Sequence, residues 1–263
     1  MLLHNKVAVI YGAGGGTGGA VARAFAREGA KVFLTGRQLA PVETVATEIS
    51  AAGGSAHAAA LDALDEQAVD AHLQLVIERA GRLDISFNAV GIPNATIVGV
   101  PLIDLNPEQF ALPIAVYMRS YFLTARLAAR RMLPRKSGVI MRVTALHSRI
   151  GIPLVGGYGP AQAAMEALTR DLSVELAPHG IRVVGLRPQG MPETRTIKDA
   201  YAPRAKASGM TFEQWQEMLA SRTHPRRLMT LEEMANVAVF IASDKASGMT
   251  GTTVNLTMGS LDD

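Results

Sequence analysis

Short apolar runs alternate with longer segments in which apolar residues recur at helical spacing, almost from one end of the chain to the other. Residues 7–10 form the first run, and the segment after it places Val21 and Phe25 four residues apart, on one face of a helix. The same alternation predicts seven strands, at 7–10, 31–35, 55–61, 83–87, 139–143, 181–186 and 252–256. Strands that alternate with helices form a mostly parallel sheet covered on both faces, so the pattern predicts an α/β fold.

The helical segments between these strands have recognisable ends. The first is expected to stop near Gly29 and the second to begin at Pro41. A long helix is predicted from about Glu108 to Leu133, interrupted or offset at Pro113, because proline lacks a backbone N–H. Two later helices are predicted at about 160–177 and 233–242.

Two stretches show no regular period. Residues 92–106, which contain Pro93 and Pro101, are predicted to form a loop. Residues 190–225 are polar, Met-rich and Pro-containing, and we interpret them as a substrate lid. A chain of 263 residues suits one large domain. We therefore expect a single-domain Rossmann fold over residues 1–263, with a doubly wound parallel sheet of about seven strands.

A glycine-rich turn, Tyr-Gly-Ala-Gly-Gly-Gly-Thr-Gly-Gly over residues 11–19, joins the first strand to the first helix. Bare backbone N–H groups at a helix start can bind a diphosphate, because the helix dipole favours negative charge there. The run fits two glycine patterns, one on Gly12, Gly16 and Gly18 and one shifted along the chain, and only the remaining sequence selects the first. A flexible surface loop is the alternative.

In an open parallel sheet, ligands bind beyond the carboxyl ends of the strands. The residues predicted at those ends are Tyr11, Arg37, Asp62, Asn88, Thr144 and Pro188. Together they predict one binding cleft along that edge of the sheet.

Composition narrows the possible partners. Apolar residues make up 48% and charged residues 19% of the chain, which excludes wholesale disorder. The formal net charge is only +3, and the densest basic stretch, residues 126–136, lies in a helical segment without aromatic residues for base stacking. A solvated or subunit-facing helix surface is therefore favoured over a nucleic-acid site.

The chain contains no cysteine, so disulfides, thiolate nucleophiles and thiolate metal sites are excluded, and we expect no metal site. Residues 1–6 lead directly into a strand, without the apolar stretch of a signal peptide. No span approaches the roughly 20 apolar residues of a transmembrane helix. We expect a soluble, cytoplasmic protein with no membrane partner.

These positions resemble those of the short-chain dehydrogenase/reductase family, over nearly the whole chain. The glycine pattern matches, with Tyr11 where the family usually has Thr, and Asn88–Gly91 is similar to the family's Asn-Asn-Ala-Gly segment. Pro188–Thr194 resembles its Pro-Gly…Thr loop with one residue inserted. The resemblance implies cofactor contacts at Gly12, Gly16, Thr17, Gly18, Arg37, Asp62, Asn88, Gly91, Gln162 and Pro188.

The end of the second strand bears on cofactor choice. An acidic residue there would bind the ribose 2′-hydroxyl and repel a 2′-phosphate, whereas this chain has Arg37. Arginine binds phosphate by charge-assisted hydrogen bonds. We therefore predict NADP(H) in preference to NAD(H). The alternative is that Arg37 is only a solvated loop charge.

The catalytic positions depart from the family pattern. Tyr158 matches the catalytic tyrosine, but Gln162 stands one turn later where the family has lysine. Ala145 replaces the serine, and Tyr117 falls where the preceding helix carries asparagine. A unit charge about 4 Å from the phenol is worth about 4 kcal/mol at an effective dielectric near 20, or roughly three pKa units. Without it, the pKa of Tyr158 is expected to stay near about 10 unless another cation intervenes.

Nearby residues are candidates for the missing roles. His147 can donate a proton or orient a substrate, although a loop histidine is often structural. Arg149 can project into the same cleft. Thr144 is a candidate to replace the serine hydroxyl, although it lies one position early, which on a strand turns its side chain to the other face. Tyr158 can also be a packing residue. The predicted catalytic set is thus Tyr158, Gln162 and His147.

The leading hypothesis is an NADP(H)-dependent oxidoreductase that acts on a small-molecule carbonyl or alcohol with a non-standard catalytic site. The alternatives are a catalytically silent NADP(H)-binding protein and a non-redox enzyme, such as a dehydratase or isomerase, on the same fold. The predicted lid carries side chains that suit a bulky apolar substrate, a subunit interface or a core, namely Met191, Tyr201, Met210, Phe212, Trp215 and Met218. The resemblance implies a homotetramer or dimer packed through the long helices.

Overall fold

The computed structural model describes residues 1–92 and 98–262, and the backbone alone of Thr196. Within these residues one sheet of seven parallel strands has the order β3-β2-β1-β4-β5-β6-β7. The strands are Val7–Tyr11 (β1), Lys31–Gly36 (β2), Ser55–Ala60 (β3), Ile85–Asn88 (β4), Gly138–Val143 (β5), Ile181–Pro188 (β6) and Thr252–Leu256 (β7). The predicted doubly wound α/β fold is confirmed.

Helices cover both faces of the sheet. They are Gly16–Arg27 (α1), Leu39–Ala51 (α2), Glu66–Ala80 (α3), Pro107–Met132 (α4), Tyr158–Leu176 (α5), Arg195–Ala207 (α6), Phe212–Ser221 (α7) and Leu231–Ala242 (α8). Buried side chains of α1, α2 and α8 form a core on one face, and those of α3, α4 and α5 form a core on the other. No helix in the described part of the chain is both long and apolar enough to cross a membrane.

Two helices differ from the sequence prediction. The predicted interruption at Pro113 is wrong, because α4 runs through this buried proline without a break. Its ring lies against α5, where a Cβ added to Gly157 would be 3.2 Å from Pro113 Cγ. Packing between the helices therefore overrides the local penalty of the proline. The second helix begins at Leu39, two residues before the predicted Pro41.

The irregular pattern predicted for residues 190–225 is also wrong in its local structure, since α6 and α7 lie there. Side-chain caps explain these helices: Thr194 accepts the Ile197 N–H, and Thr211 forms a capping box with Gln214. The loop predicted over residues 92–106 includes 93–97, which lie outside the described residues. Its later part contains a short 3₁₀ turn at Leu102–Asp104.

The strand order reverses at β1, because β2 lies on one side of it and β4 on the other. Connections from β1 and β4 leave the sheet in opposite directions, which opens a cleft above their carboxyl ends. The glycine turn lies at this point. Its backbone is held by two N–H groups, of Gly12 and Ala13, that both donate to the Thr35 carbonyl oxygen at 2.9 Å. Gly12 has a φ of +78°, which favours glycine.

Gly18, in the first turn of α1, packs directly on this turn. A Cβ at Gly18 would overlap the backbone carbonyl oxygen of Gly12, which cannot move without displacing the turn. The two glycines therefore hold α1 against the turn at a distance that no other residue type allows.

We expect Gly18→Ala to lower the free energy of unfolding by about 2 kcal/mol, which is about 4–8 °C in Tm for a chain of this size. The overlap outweighs the gain of about 1 kcal/mol that alanine brings to a helix. Thermal unfolding at fixed protein concentration measures this. Gly248→Ala is the control, because nothing lies within 4 Å of its added Cβ. Equal Tm values for the two variants would contradict the packing described.

Candidate active site

A cavity of about 1200 Å³ extends from the glycine turn, along the carboxyl ends of the strands, to α6 and α7. Of the predicted site residues, the structure brings these together in its wall: Gly12, Gly16, Thr17, Gly18, Arg37, Gly91, His147, Tyr158, Gln162 and Pro188. Of the six strand-end residues predicted to share one cleft, Arg37, Thr144 and Pro188 line this cavity, whereas Tyr11, Asp62 and Asn88 do not.

Two predicted cofactor residues do not line this cavity. Asp62 is exposed, and its Oδ1 accepts the Leu64 N–H at 3.0 Å. Asn88 is buried behind the cavity wall, where its side chain donates to Thr124 Oγ1 at 2.9 Å and accepts the Val90 N–H at 3.0 Å. Asn88 therefore holds the backbone that follows β4.

The wall near the glycine turn has few charges. Arg37 is exposed and forms no ion pair with a described residue. Asp199 is the one acidic residue of the described cavity wall, and it pairs with Arg195 on α6 at 3.5 Å. A phosphate beside Arg37 would thus meet an unpaired guanidinium and no carboxylate from the wall.

Gln162 is buried and lies one turn along α5 from Tyr158. Its Oε1 atom has no hydrogen-bond partner among the described residues, although buried polar atoms are usually paired. Because the side chain lines the cavity, this oxygen is a candidate acceptor for a hydroxyl group of a ligand.

Tyr158 is the first residue of α5 and lies among other rings. Its ring makes edge contacts with His147, at 5.0 Å between centroids, and with Tyr117, at 5.8 Å. Burial raises the pKa of Tyr158 above its ordinary value, and Tyr117 raises it further. The prediction that this pKa stays near about 10 is therefore wrong, because it ignored the loss of water around the phenol.

His147 stays neutral. Burial, helped by the nearby charge of Arg204, lowers the pKa of His147 to about 3. Its buried Nδ1 has no partner among the described side chains and backbone. At neutral pH the ring is therefore an imidazole that can donate or accept one hydrogen bond, and it is not a cationic acid.

Arg142 is the cation that the sequence prediction missed. It lies on β5, is 2% exposed, and its guanidinium stacks over the Tyr117 ring at 5.2 Å. It donates to the Asn88 side chain and to the Val90 carbonyl oxygen at 3.3 Å. The charge of Arg142 lowers the pKa of Tyr158, although burial outweighs it. A charged residue within the otherwise apolar stretch 139–143 was the available signal, because arginine is rarely buried without a specific role.

A buried carboxylate fixes the loop that carries His147. Glu166 on α5 accepts hydrogen bonds from Ser148 Oγ at 2.6 Å, Thr144 Oγ1 at 3.0 Å and Arg187 Nε at 2.9 Å. The Thr144 hydroxyl is thereby engaged away from a substrate. Ala145 lines the cavity and brings no polar group. Arg149 is exposed and does not line the cavity.

Two helices close the far end of the cavity. The wall there includes most of the predicted lid side chains, namely Met191, Tyr201, Met210, Trp215 and Met218. Phe212 does not line the cavity and packs against Tyr201 instead, at 6.5 Å between ring centroids. Arg204, on α6, lines the cavity and stacks over the Trp215 ring at 4.8 Å. The sequence did not indicate that Arg204 lines the cavity, because residues 190–225 were predicted to be irregular and no helix face could be assigned to them.

Comparison with known proteins gives a consistent assignment. A family model described as enoyl-(acyl carrier protein) reductase matches residues 12–260. The uncharacterized oxidoreductase YxjF of Bacillus subtilis is 30% identical over 258 residues, covering 98% of each chain. The structure of sorbitol-6-phosphate 2-dehydrogenase SrlD from Erwinia amylovora is 26% identical, with a TM-score of 0.90 and coverage of 97% of this chain and 100% of that one.

A 7α-hydroxysteroid dehydrogenase solved with NADH and 7-oxo glycochenodeoxycholic acid is 28% identical, with a TM-score of 0.86. The alignment covers 98% of this chain and 94% of that one. The family model and these relatives, together with the fold and the glycine turn, show that the chain belongs to the short-chain dehydrogenase/reductase family of oxidoreductases.

Proposed function

We propose that this protein is an NADP(H)-dependent reductase of a ketone or aldehyde, with Tyr158 as proton donor and Arg142 as the cation beside it. The observation that carries the proposal is the burial of Arg142 in the cavity wall, where its guanidinium stacks on Tyr117 and its charge lowers the pKa of Tyr158. The same cavity joins these groups to the glycine turn, so a nucleotide and a substrate can meet there.

The cavity wall has groups that fit NADP(H). Backbone N–H groups of the glycine turn would hold the diphosphate at the start of α1, where the helix dipole favours anions. Arg37 suits the 2′-phosphate, and the unpartnered Oε1 of Gln162 suits a ribose hydroxyl. Thr17, Gly91 and Pro188 line the same wall, whereas Asn88 acts by holding the backbone. The bound cofactor would supply the hydride for reduction of a carbonyl carbon.

Tyr158 suits the reductive direction. Because its pKa is raised, the phenol is protonated at neutral pH and can donate its proton to a carbonyl oxygen. The oxygen becomes alkoxide-like as the carbon is reduced, and an alkoxide is a stronger base than a phenolate. Proton transfer from Tyr158 is therefore favourable in this direction.

Arg142 takes over the charge that the family's lysine would supply. Its guanidinium stays protonated, since arginine is not deprotonated in proteins. A positive charge stabilises the phenolate left after proton transfer, so it makes Tyr158 a stronger acid than burial alone would allow. Gln162 then has only the ribose to bind.

His147 takes the place of the serine hydroxyl in this proposal. The neutral ring lies against Tyr158, and its unpartnered Nδ1 is available for a hydrogen bond to the substrate. Residues 190–225 act as the substrate lid. Named relatives act on a hydroxysteroid or a sugar-alcohol phosphate. We infer a small-molecule carbonyl for this chain as well.

The assembly and the cellular location stay predictions. Apolar side chains on the outer surfaces of α4 and α5, such as Phe122 and Val174, are exposed and suit a homodimer or tetramer packed through these helices. Cytoplasmic location and the absence of a nucleic-acid partner rest on composition alone.

We expect Tyr158→Phe to lower NADPH-dependent reduction of the best carbonyl substrate at least 1000-fold, roughly the contribution of a general acid. The Kd for NADPH should change less than about twofold, because the phenol is not among the proposed cofactor contacts. Steady-state kinetics and cofactor titration measure the two effects. The control is Tyr121→Phe, which removes a buried hydroxyl that pairs with Thr169 and does not line the cavity. Equal activity in the two variants would refute the role of Tyr158.

Arg142→Met should slow NADP⁺-dependent oxidation of the product alcohol by about 10- to 100-fold at each pH below the pKa of Tyr158. This direction needs the phenolate, and its rate rises with pH. A charge within about 8 Å is worth ~2 kcal/mol at an effective dielectric near 20, so its loss raises the pKa of Tyr158 and depletes the phenolate. Arg142→Lys keeps the charge and should restore most of the rate across the pH profile. A loss as large in Arg142→Lys as in Arg142→Met would show that packing matters and charge does not.

Arg37→Leu should weaken NADPH binding about 10- to 100-fold and leave NADH binding unchanged, since only the former has a 2′-phosphate for a charge-assisted hydrogen bond. Titration of both cofactors checks this. Arg27→Leu is the matched control, because it removes an exposed positive charge at the end of α1, outside the cavity. Equal Kd values for both cofactors in the unmodified protein would contradict the predicted preference.

A further inference from the structure

Arg204 on α6 is a guanidinium buried in the cavity wall without a counter-ion. It is 5% exposed, and it forms neither an ion pair nor a side-chain hydrogen bond with any residue that the structure describes. Its contact is the flat face of Trp215, with 4.8 Å between the guanidinium carbon and the ring centroid. Stacking of this kind leaves the N–H groups at the edge of the guanidinium unpaired.

A donor of the stacked Trp215 ring is unpaired as well. The indole Nε1 of Trp215 and the Nε of Arg204 are buried and have no hydrogen-bond partner in the described part of the chain. Buried donors without partners are uncommon, because each costs the free energy of its lost hydration. Two such donors on stacked side chains in one cavity wall indicate a place for an acceptor.

The charges around Arg204 favour an acceptor that is negative. Arg142 and Arg222 line the same cavity, whereas the carboxylate of Asp199 is paired with Arg195. Burial keeps the pKa of Tyr201 raised, to about 12, and that of His147 low, so both are neutral at physiological pH. The described groups that face the cavity around Arg204 are therefore neutral or positive, apart from one paired carboxylate.

We propose that Arg204 and Trp215 bind an anionic group of the substrate, a carboxylate or a phosphate ester, while its carbonyl lies at Tyr158. An oxyanion accepts two hydrogen bonds from the edge of a guanidinium and gives the buried charge its missing partner. Met191, Met210 and Met218 in the same wall suit an apolar body between the two polar ends. The inference rests on the proposed reductase function for the position of the carbonyl, but the anion site itself does not.

Binding without turnover tests the anion site separately from the reaction. Trp215 is the single tryptophan of the chain and is stacked on Arg204, so its fluorescence reports on this site. The protein saturated with NADP⁺ is titrated with 7-oxooctanoate and with its methyl ester, and in a second arm with dihydroxyacetone phosphate and with dihydroxyacetone. A ketone cannot be reduced by NADP⁺, so each titration measures binding alone.

We expect one anion to bind at least 10-fold more tightly than its neutral counterpart, and the arm in which this occurs distinguishes carboxylate from phosphate. Arg204→Met should abolish that preference, and Arg204→Lys, which keeps the charge, should retain part of it. Lys206→Met is the matched control, because it removes an exposed charge from the same helix and should leave the preference intact. Unchanged NADPH affinity, far-ultraviolet circular dichroism and Tm in the free variants show that α6 and α7 remain folded.

Three results would overturn the proposal. They are equal Kd values for anion and neutral partner in both arms, no saturable response to either anion, and a preference that survives Arg204→Met. The reductase function is measured separately from anion binding, by the oxidation of NADPH in the presence of the same ketones. A preference that depends on Arg204 without any NADPH oxidation would leave the anion site standing and count against the reductase function.

Discussion

The arrangement of the site depends on a single buried guanidinium, that of Arg142. A charge inside the protein is tolerated only where polar groups replace water, and Arg142 has the side chain of Asn88, the carbonyl of Val90 and the face of Tyr117. These partners lie on β4, on the segment after it and on α4. The need to solvate one charge therefore fixes the backbone after β4 and the Tyr117 ring of α4, both of which line the cavity.

The two ends of the cavity follow different rules. At the end that contains the glycine turn, the absence of side chains allows the backbone to pack closely, and the spacing of the glycines matches the family pattern. At the substrate end, side-chain charge and hydrogen bonding act, and there the chain departs from that pattern at Gln162, Ala145 and Tyr117. In the proposed mechanism, the cation that stabilises the phenolate, Arg142, lies on β5 and not on the helix that carries Tyr158. The charged residues that the cavity contains are therefore a better guide to function than the absence of the family's lysine and serine.

Much of the fold could be predicted from the sequence because strand and helix periods are local properties. The seven strands and the glycine turn are of this kind, and the predicted doubly wound sheet is confirmed. The helices α6 and α7 were missed because side-chain caps and the packing of the two helices on each other stabilise them despite their polar, Pro-containing sequence. The interruption predicted at Pro113 was wrong for the opposite reason, because packing against Gly157 keeps α4 continuous.

The site was harder to predict than the fold, because its chemistry depends on which face of an element each side chain occupies. Arg142 and Met141 are neighbours on β5, yet one lies beside Tyr117 and the other packs in the core on the opposite face of the sheet. Gln162 was predicted from its spacing to Tyr158. The position of Arg204 depends on α6, a helix that the sequence did not predict, so no spacing rule could have connected Arg204 to Trp215 or to His147.

Deuterium transfer tests most directly whether the protein reduces a carbonyl. The protein is incubated with NADPH carrying deuterium at both C4 positions of the nicotinamide and with a panel of ketones and aldehydes, and the products are examined by mass spectrometry. A carbonyl reductase gives an alcohol with one deuterium on the former carbonyl carbon. Tight binding of NADPH without a deuterated alcohol from any compound, or with an unlabelled dehydration or isomerisation product, would contradict hydride transfer to a carbonyl.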